Sequence, residues 1–333
     1  MTYNQIIQDL GKKNFKPVYF LHGEEPYYID KITNYIIDNV LSEAEKSFNQ
    51  TIFYGHNTNV TAVINAAKRF PMMANNQVVV LKEAQYLDDL EDLIHYVKNP
   101  LKSTLLVIAY KYKKLDKRKK LHNILKENAL IFESNKLYDS KIPDWIISFL
   151  KGVDYEITPA ASLLLTEYLG SDLSKIVNEL EKLIIALPTE IRKIDPETIE
   201  KNIGISKDFN NFELTNALSG KDILKANRIV NYFDKNPRKN PITLTISSLY
   251  YFFSRVLAYQ FMKNKSPAIV ASELKIHPFF LSEYKKAASR YSSQKIVEII
   301  SLLRKYDLKS KGWGNTGADP GSLLKELIYK ILH

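Results

Sequence analysis

Five short apolar runs alternate with segments of helical periodicity over the first 140 residues, and this alternation constrains the fold more than any other feature. The apolar runs are Val18–Leu21, Thr51–Tyr54, Gln77–Leu81, Thr104–Ala109 and Ala129–Phe132. The helical segments between them are Tyr27–Val40, Val60–Phe70, Leu87–Val97 and Lys117–Glu127. Because buried parallel strands read as continuous apolar runs joined by helices, the pattern predicts an α/β domain whose parallel sheet is covered on both faces.

The strand signals stop after Tyr138, and the remaining sequence predicts helices only. Two helices are expected to start at Thr158-Pro159 and Asp195-Pro196, since each pair places a capping side chain directly before a proline at the first helical position. From Phe212 onward every apolar pattern has helical period. We therefore predict three domains: an α/β domain over residues 1–140, a small helical domain over 141–210 and a larger helical domain over 211–333.

The residue types present exclude several kinds of chemistry. The chain has no cysteine, which rules out disulfides, thiol nucleophiles and cysteine-ligated zinc. Its six histidines show no ligand spacing and no Ser/His/Asp order stands out, so we expect no metal site and no catalytic residues. The N-terminus lacks the apolar core of a signal peptide, and the most apolar stretch, Thr243–Met262, contains Arg255, Gln260 and five serine or threonine hydroxyls. These observations predict a cytoplasmic protein without a membrane span or a cofactor.

The net charge of +10 is concentrated in the last third of the chain. Residues 211–333 carry 20 Lys and Arg against 9 Asp and Glu, whereas residues 141–210 carry 8 against 12. Basic charge gathered in one domain favours a polyanionic partner, usually nucleic acid. A solvated lysine-rich surface explains the same distribution, and both interpretations stay open.

Residues 18–30, VYFLHGEEPYYID, have the layout of a phosphate-binding loop without its chemistry. An apolar strand is broken at Gly23 and a helical pattern follows, where a working loop would read G-x-x-x-x-G-K-[ST]. Counted from Gly23, the lysine that would hold the phosphates falls on Ile29, and the hydroxyl that would hold Mg²⁺ falls on Asp30. Two glutamates after Gly23 place negative charge where phosphates would lie. The sequence predicts a nucleotide-binding scaffold that does not use the nucleotide.

A second element of a nucleotide site is also altered. In ATPases with such loops a strand ends in an acidic residue that coordinates Mg²⁺, whereas the predicted strand Gln77–Leu81 is followed by Lys82. The glycines Gly312, Gly314 and Gly317 spell G-x-G-x-x-G, but no strand signal precedes them. We interpret that segment as a loop and not as a dinucleotide site.

The segment Arg69–Gln77, RFPMMANNQ, contains the adjacent residues Met72 and Met73. On a helix, neighbouring residues point about 100° apart and cannot both face one core. At least one methionine is then exposed beside Phe70, and methionine suits adaptable binding surfaces. Ordinary packing beneath the sheet is the alternative.

Two further segments suggest contacts with other molecules. Lys111–Lys120, KYKKLDKRKK, has seven basic residues in ten and is either a solvated loop or a contact for phosphate or an acidic partner. Its candidate contact residues are Lys117, Arg118 and Lys119. The segment Ser247–Met262 is apolar around most of its circumference, which indicates a helix buried in a large core or between subunits.

In order and spacing, these segments resemble the delta-subunit family of the bacterial DNA polymerase III clamp loader, members of the AAA+ superfamily without ATPase activity. The resemblance runs the full length of the chain. It rests on Tyr19–Lys31, Phe70–Glu83, Leu115–Leu121, Gly170–Leu183 and Phe212–Leu218, followed by the helical C-terminal third. It implies a RecA-like domain, a helical lid and a helical collar, which correspond to the three predicted domains.

The resemblance also implies a role and partners. Family members bind and open the beta sliding clamp so that it can be loaded on primed DNA, together with the gamma/tau ATPase subunits and the delta-prime subunit. The family's clamp-contacting apolar pair, at the tip of a helix, falls on Met72 and Met73, with Phe70 beside it, although other members often have Leu-Phe there. No intrinsic activity is implied for this subunit of a DNA-directed DNA polymerase (nucleotidyltransferase) holoenzyme.

Two alternatives from other functional classes stay open. An active AAA+ ATPase is disfavoured by the altered loop at Gly23–Asp30, and ATP turnover by the pure chain would identify it. A stand-alone nucleic-acid-binding protein would suit the basic last third, and salt-dependent DNA binding without any partner would identify it.

Overall fold

The computed structural model describes residues 1–188, 190–315 and 317–333. The chain divides into two compact units, Met1–Leu137 and Tyr138–His333. The boundary between them lies close to residue 140, whereas the further division of the second unit near residue 210 stays a prediction. Among the described residues, no helix is long and apolar enough to span a membrane.

The first unit alternates helices and strands. Its helices are α1 (Tyr3–Gly11), α2 (Pro26–Asn39), α3 (Glu43–Asn49), α4 (Val60–Ala67), α5 (Ile94–Val97) and α6 (Lys120–Asn128). Its strands are β1 (Val18–Gly23), β2 (Gln50–Tyr54), β3 (Gln77–Lys82), β4 (Thr104–Lys111) and β5 (Leu130–Ser134). Each of the five apolar runs forms a strand, so the predicted α/β class is confirmed.

The five strands form one parallel sheet in the order β2-β3-β4-β1-β5. In β1, Val18 and Phe20 face an apolar cluster that includes α4 and α6, whereas Tyr19 and Leu21 face a second cluster with α1 and α2. Because strand side chains alternate between faces, a strand buried along its whole length needs helices on both sides. The sheet brings the carboxyl ends of β1 and β4 side by side.

Some helical segments of this unit differ from expectation. Residues 87–97 form mostly 3₁₀ turns and one α-helical turn, α5. The carboxylate of Asp89 accepts the N–H of Val60, the first residue of α4, at 3.0 Å, so this residue contacts another helix instead of continuing its own. The predicted pattern also omits α1 and α3, although each begins with a capping box, at Thr2 and Ser42.

The second unit is helical with one short exception. Its helices are α7 (Ile142–Lys151), α8 (Pro159–Leu169), α9 (Leu173–Ala186), α10 (Pro196–Ile203), α11 (Asn211–Ser219), α12 (Ile223–Lys235), α13 (Ile242–Phe261), α14 (Pro267–Glu273), α15 (Leu281–Arg290), α16 (Ser293–Ser310) and α17 (Pro320–Leu332). Thr158 and Asp195 cap α8 and α10, as predicted. Directly before these caps, β6 (Glu156–Ile157) pairs in parallel with β7 (Lys193–Ile194). The expectation that strands stop after Tyr138 is therefore wrong, because two segments too short to show a pattern still pair.

The aromatic segment lies in α13 and has two different faces. Leu249, Phe253 and Val256 are buried in the core of the second unit, whereas Tyr251 and Phe261 are exposed. The exposed face is available to another subunit, and that contact stays a prediction.

The glycines of the G-x-G-x-x-G segment follow a helix and not a strand. Gly312, Gly314 and Gly317 come after α16 and have positive φ angles. Dinucleotide binding needs a strand before the glycines, so the interpretation as a loop is confirmed.

Candidate functional site

The apolar residues predicted for partner binding lie in the loop between α4 and β3. Phe70, Met72 and Met73 have 77%, 59% and 100% of their surface exposed, and we call these three residues the apolar tip. The alternative that the methionines pack beneath the sheet is therefore wrong. If a partner covered these apolar side chains, each Å² of apolar surface removed from water would stabilise the complex by about 25 cal/mol.

The two methionines do not lie on a helix, contrary to the expectation from sequence. Helix α4 ends at Ala67, and no regular secondary structure occurs between it and β3. Pro71 cannot donate a helical hydrogen bond, and Met73 has a left-handed backbone conformation with a φ of 53°. As a result both methionines are exposed, where helical geometry would have turned one of them towards the core.

A buried glutamine at the start of β3, Gln77, binds the backbone where α4 ends and the loop begins. The Nε2 of Gln77 lies 3.3 Å from the carbonyl oxygen of Ala66, 3.2 Å from that of Ala67 and 2.7 Å from Oγ1 of Thr104. It also donates to the carbonyl oxygen of Arg69. Carbonyls at the end of a helix lack intrahelical partners, and the two N–H groups of this amide are shared among them and Thr104. The chain consequently leaves the helix at a defined point.

A second buried amide holds the middle of the loop. Asn49 accepts the N–H of Met72 at its Oδ1, at 2.6 Å, and donates from Nδ2 to the carbonyl oxygen of Met72, at 2.9 Å. Asn49 is almost fully buried. The apolar tip therefore combines exposed side chains with a backbone that is bonded to the body of the unit.

Three residues of this region are missing from the candidates derived from sequence. Phe48 precedes Asn49 in α3 and is 72% exposed, while Asn49 and Gln77 bind the loop backbone. The bonds of Asn49 to Met72 span 23 residues, so no short motif reveals them. The one local signal is an amide side chain at a buried end of a helix or strand.

The phosphate-loop region after β1 is closed by the chain itself. The carboxylate of Glu25 accepts the N–H of Tyr27 at 3.0 Å and is buried at the N-terminus of α2. That N-terminus is where a phosphate-binding loop would hold an anion. Pro26 begins the helix and has no N–H to offer. The anion position is therefore occupied by a carboxylate of the protein.

Gly23 is required by packing. Its φ is 140°, and a Cβ at this position would lie 2.0 Å from the carbonyl oxygen of Ser134. The N–H of Gly23 donates to the carbonyl oxygen of Lys113 at 3.0 Å, and the N–H of Glu25 donates to that of Ser134 at 3.2 Å. Backbone donors that would surround a phosphate are thus used within the fold.

In a working phosphate-binding loop, the positions of Ile29 and Asp30 would hold phosphate and metal, but here both residues make other contacts. Ile29, at the lysine position, is fully buried in the apolar cluster with α1 and α2. Asp30, at the hydroxyl position, forms an ion pair of 2.6 Å with Lys111. At the end of β3, Lys82 places its Nζ 3.4 Å from Oδ1 of Asn34.

Much of the basic run at 111–120 is neutralised by carboxylates. The ion pairs are Lys111 with Asp30, Lys114 with Glu133, Arg118 with Asp116, and Lys119 with Glu91. The hydrogen bonds from Arg118 lower the pKa of Asp116 to about 2, so this pair stays ionised through the neutral range. Of the three candidate contact residues, Lys117 alone has no ion pair with a described residue. The run therefore carries less unpaired positive charge than its count of basic residues indicates.

His22 anchors the start of this run to the sheet. Its Nδ1 accepts the N–H of Leu115 at 3.2 Å, which requires a lone pair on that nitrogen. Burial lowers the pKa of His22 from its usual value and favours the neutral ring that this bond needs. Across residues 1–188, 190–315 and 317–333, no group of three or more His, Asp or Glu side chains could hold a metal ion.

Comparison with known proteins identifies relatives. Residues 19–135 match the protein family described as DNA polymerase III, delta subunit. The DNA polymerase III subunit delta of Bacillus subtilis (strain 168) is 26% identical over 338 residues, which cover 97% of this chain and 94% of that protein. A solved structure, described as the Bacillus subtilis DNA clamp loader delta protein (YqeN), is 23% identical with a TM-score of 0.58 and covers 99% of both chains. The structural likeness confirms the fold, and the sequence matches confirm the resemblance.

Proposed function

We propose that the chain is a delta subunit of DNA polymerase III, a component of the clamp loader, and that it binds and opens the beta sliding clamp during DNA replication. The observation that carries this proposal is the apolar tip, in which Phe70, Met72 and Met73 are exposed on a loop with a bonded backbone. Exposed apolar side chains that converge on one loop are typical of an interaction site.

The expected contribution of the apolar tip is large enough to dominate binding. Burying one methionine side chain in an apolar pocket of the clamp contributes about 1.5–3 kcal/mol. At 1.4 kcal/mol for each factor of ten, this changes affinity by about 10- to 150-fold. Met72 and Met73 are both available, so the pair can act as the central anchor of an interface.

Opening of the clamp follows from a difference in affinity. A bound protein shifts an equilibrium only as far as it prefers one state over the other. We infer that the apolar tip fits the clamp better when one interface of the ring is open. The binding energy of Met72 and Met73 then favours the open ring.

We propose further that this chain neither binds ATP tightly nor hydrolyses it. The carboxylate of Glu25 lies where phosphate would bind, Ile29 is buried, and Asp30 is paired with Lys111. These contacts also argue against the alternative of an active AAA+ ATPase. Calorimetry with ATP tests the proposal, and micromolar affinity that a substitution within Gly23–Asp30 abolishes would contradict it.

The helical last third is proposed to assemble with the gamma/tau ATPase subunits and the delta-prime subunit in the cytoplasm. The exposed face of α13, with Leu244, Tyr251 and Phe261, supports this assignment, because burying exposed apolar side chains against another subunit is favourable. A truncation that ends near Asn210 is expected to lose assembly while it keeps clamp binding. Normal assembly of the truncated chain would refute the collar assignment.

Contact with primed DNA or with a partner subunit is proposed for Lys117, Arg118 and Lys119. Lys117 is the first choice, because Arg118 and Lys119 are paired with carboxylates. The alternative of a stand-alone nucleic-acid-binding protein predicts tight, salt-dependent DNA binding by the isolated chain, whereas the clamp-loader role requires DNA only within the complex.

Co-elution of the pure chain with the sliding clamp of its organism tests the main proposal. We expect one complex in gel filtration whose formation depends little on salt, since the proposed contact is apolar and salt screens charges. Absence of a complex at micromolar concentrations would overturn the proposal. Dissociation of the complex between 50 and 500 mM salt would instead indicate that the charged surfaces carry the binding.

A further inference from the structure

The loop of the apolar tip is held by a side chain from a separate element. Asn49 pairs with both backbone groups of Met72, through an accepted bond of 2.6 Å and a donated bond of 2.9 Å. Its side chain is shielded from water, and in such surroundings a hydrogen bond is stronger than at the surface. One amide thus fixes the backbone of a residue whose own side chain is exposed.

Asn49 is itself fixed to the sheet. It is the last residue of α3, and β2 begins directly after it. Its Nδ2 also donates to the carbonyl oxygen of Glu45 in its own helix, at 3.1 Å. The position of Met72 is therefore set from the junction of α3 with an edge strand of the sheet and not by the loop alone.

Two other helices of the same unit end in asparagine and provide a comparison. Asn39 ends α2 and Asn128 ends α6, and each donates to a carbonyl oxygen four residues earlier at 2.9 Å. Asn49 makes the same local bond. Of these three described residues, Asn49 is the one that also bonds a distant segment, so its pair of bonds to Met72 exceeds what ending a helix requires.

The backbone next to Met72 also needs support. Met73 has a φ of 53°, a left-handed conformation that residues with a side chain rarely adopt. Such conformations persist where the surrounding contacts determine the backbone. Asn49 fixes the residue before Met73, and Gln77 binds the loop at its start.

We propose that Asn49 is a positioning residue for clamp binding, which holds Met72 so that the apolar tip is presented in one conformation before the clamp arrives. The inference rests on the proposed role of the tip. A loop that is ordered in advance loses less conformational freedom when it binds, and this raises its affinity. Asn49 touches the loop backbone and acts through it.

The affinity of the full chain for the sliding clamp tests the proposal. Asn49→Ala is expected to weaken binding about 10-fold, which equals about 1.4 kcal/mol. Asn49→Asp keeps the acceptor but turns a carboxylate oxygen towards two carbonyl oxygens, so its loss should be at least as large. Asn128→Ala is the matched control, because it removes the same helix-ending bond, and it should change affinity less than about 2-fold.

Two readouts separate positioning from general stability. Hydrogen exchange of the Met72 amide should accelerate about 10-fold in Asn49→Ala without any clamp present, and should not change in Asn128→Ala. In a Met73→Ala background the affinity loss caused by Asn49→Ala should shrink, since part of what it positions is gone. If the two losses simply multiply and the Met72 amide exchanges at an unchanged rate, the proposal is wrong.

The outcomes also separate this inference from the proposed function. If the double substitution Met72→Ala and Met73→Ala leaves clamp affinity unchanged, the proposed function fails, and the exchange measurement still tests whether Asn49 orders the loop. If the methionine variant loses binding but Asn49→Ala does not, the inference alone fails. Should Asn49→Ala not fold, Asn49→Ser, which leaves a smaller cavity and buries no charge, takes its place in each measurement.

Discussion

Two loops of the α/β unit differ in what they leave without a partner inside the protein. In the loop after β1, Glu25 caps α2, and within α2 the carboxylate of Asp30 is paired with Lys111. In the loop before β3, the backbone of Met72 is bonded to Asn49, while the apolar side chains remain in water. At the first loop the carboxylates of Glu25 and Asp30 bond within the protein, whereas at the second the apolar side chains are left uncovered.

The comparison teaches that a loop binds with the groups that folding leaves unpaired. A strand–glycine–helix layout is a place where phosphate can bind, but here a carboxylate of the chain fills the anion position. The apolar tip lacks a regular element, yet two buried amides hold its backbone in place. Shape alone therefore does not separate an inert loop from a binding loop.

The strongest test of the comparison removes the side chains of the apolar tip. Met72→Ala combined with Met73→Ala is expected to weaken clamp binding by more than about 100-fold, because the proposed anchor is lost. Surface plasmon resonance measures the affinity. Both side chains are exposed, so unfolding free energy should change by less than about 0.5 kcal/mol, and assembly with the partner subunits should persist.

Either of two results would contradict this prediction. Loss of the melting transition would mean that the methionines stabilise the fold, as core residues do. Unchanged clamp affinity would place the contact elsewhere on the α/β unit.

The next test tries to reopen the closed loop. Ile29→Lys combined with Asp30→Thr restores the lysine and the hydroxyl residue of a phosphate-binding loop. We nevertheless expect no ATP binding and a loss of about 3–5 kcal/mol of unfolding free energy. A lysine would enter the apolar core, and Lys111 would lose its carboxylate. Urea titration and calorimetry measure the two quantities. Asp38→Thr, at an exposed position of the same helix, is the control, and micromolar ATP affinity of the double variant would break the comparison.

A smaller effect is expected from the cap of α2. Glu25→Ala removes the acceptor for the Tyr27 N–H and should cost about 1 kcal/mol of unfolding free energy. Glu25→Gln keeps an acceptor oxygen and should lose less. Urea midpoints of the parent chain and the two variants measure these losses. A midpoint of Glu25→Ala equal to that of the parent chain would show that the carboxylate does not serve as the cap.

The smallest effect concerns pH. Burial lowers the pKa of His22 in the folded chain, so its neutral form contributes stability above its ordinary pKa, and this contribution is lost as pH falls through the folded pKa. The urea midpoint should therefore drop more steeply below pH 6.5 in the parent chain than in His22→Asn, which keeps an acceptor for Leu115. His95→Gln, at an exposed position, is the control. Parallel pH profiles for all three chains would show that His22 is not the titrating group.

Local pattern was sufficient for the framework of the fold. Strand β1 was predictable from its continuous apolar run, and the capped helix starts at Thr158 and Asp195 from their following prolines. The failure of the phosphate loop was also readable, because Ile29 and Asp30 are the wrong residue types whatever their surroundings.

Contacts between distant residues decided the remainder. The ion pairs that neutralise Arg118 and Lys119 and the bond from His22 to Leu115 are invisible to local patterns. The helix predicted for the methionine pair ended early for a similar reason, since the buried Gln77 offers its carbonyls other partners.

The sequence by itself determined the five strands of the large sheet and their order along the chain, the loss of phosphate-binding chemistry and the apolar character of residues 70–73. Those properties depend on residue type and on spacing within a few positions, which a linear pattern records. Only the tertiary structure decided that both Met72 and Met73 are exposed and that Asn49 bonds the backbone of Met72. These features depend on which groups meet across 23 residues of chain, because a buried amide bonds whatever backbone the fold brings to it.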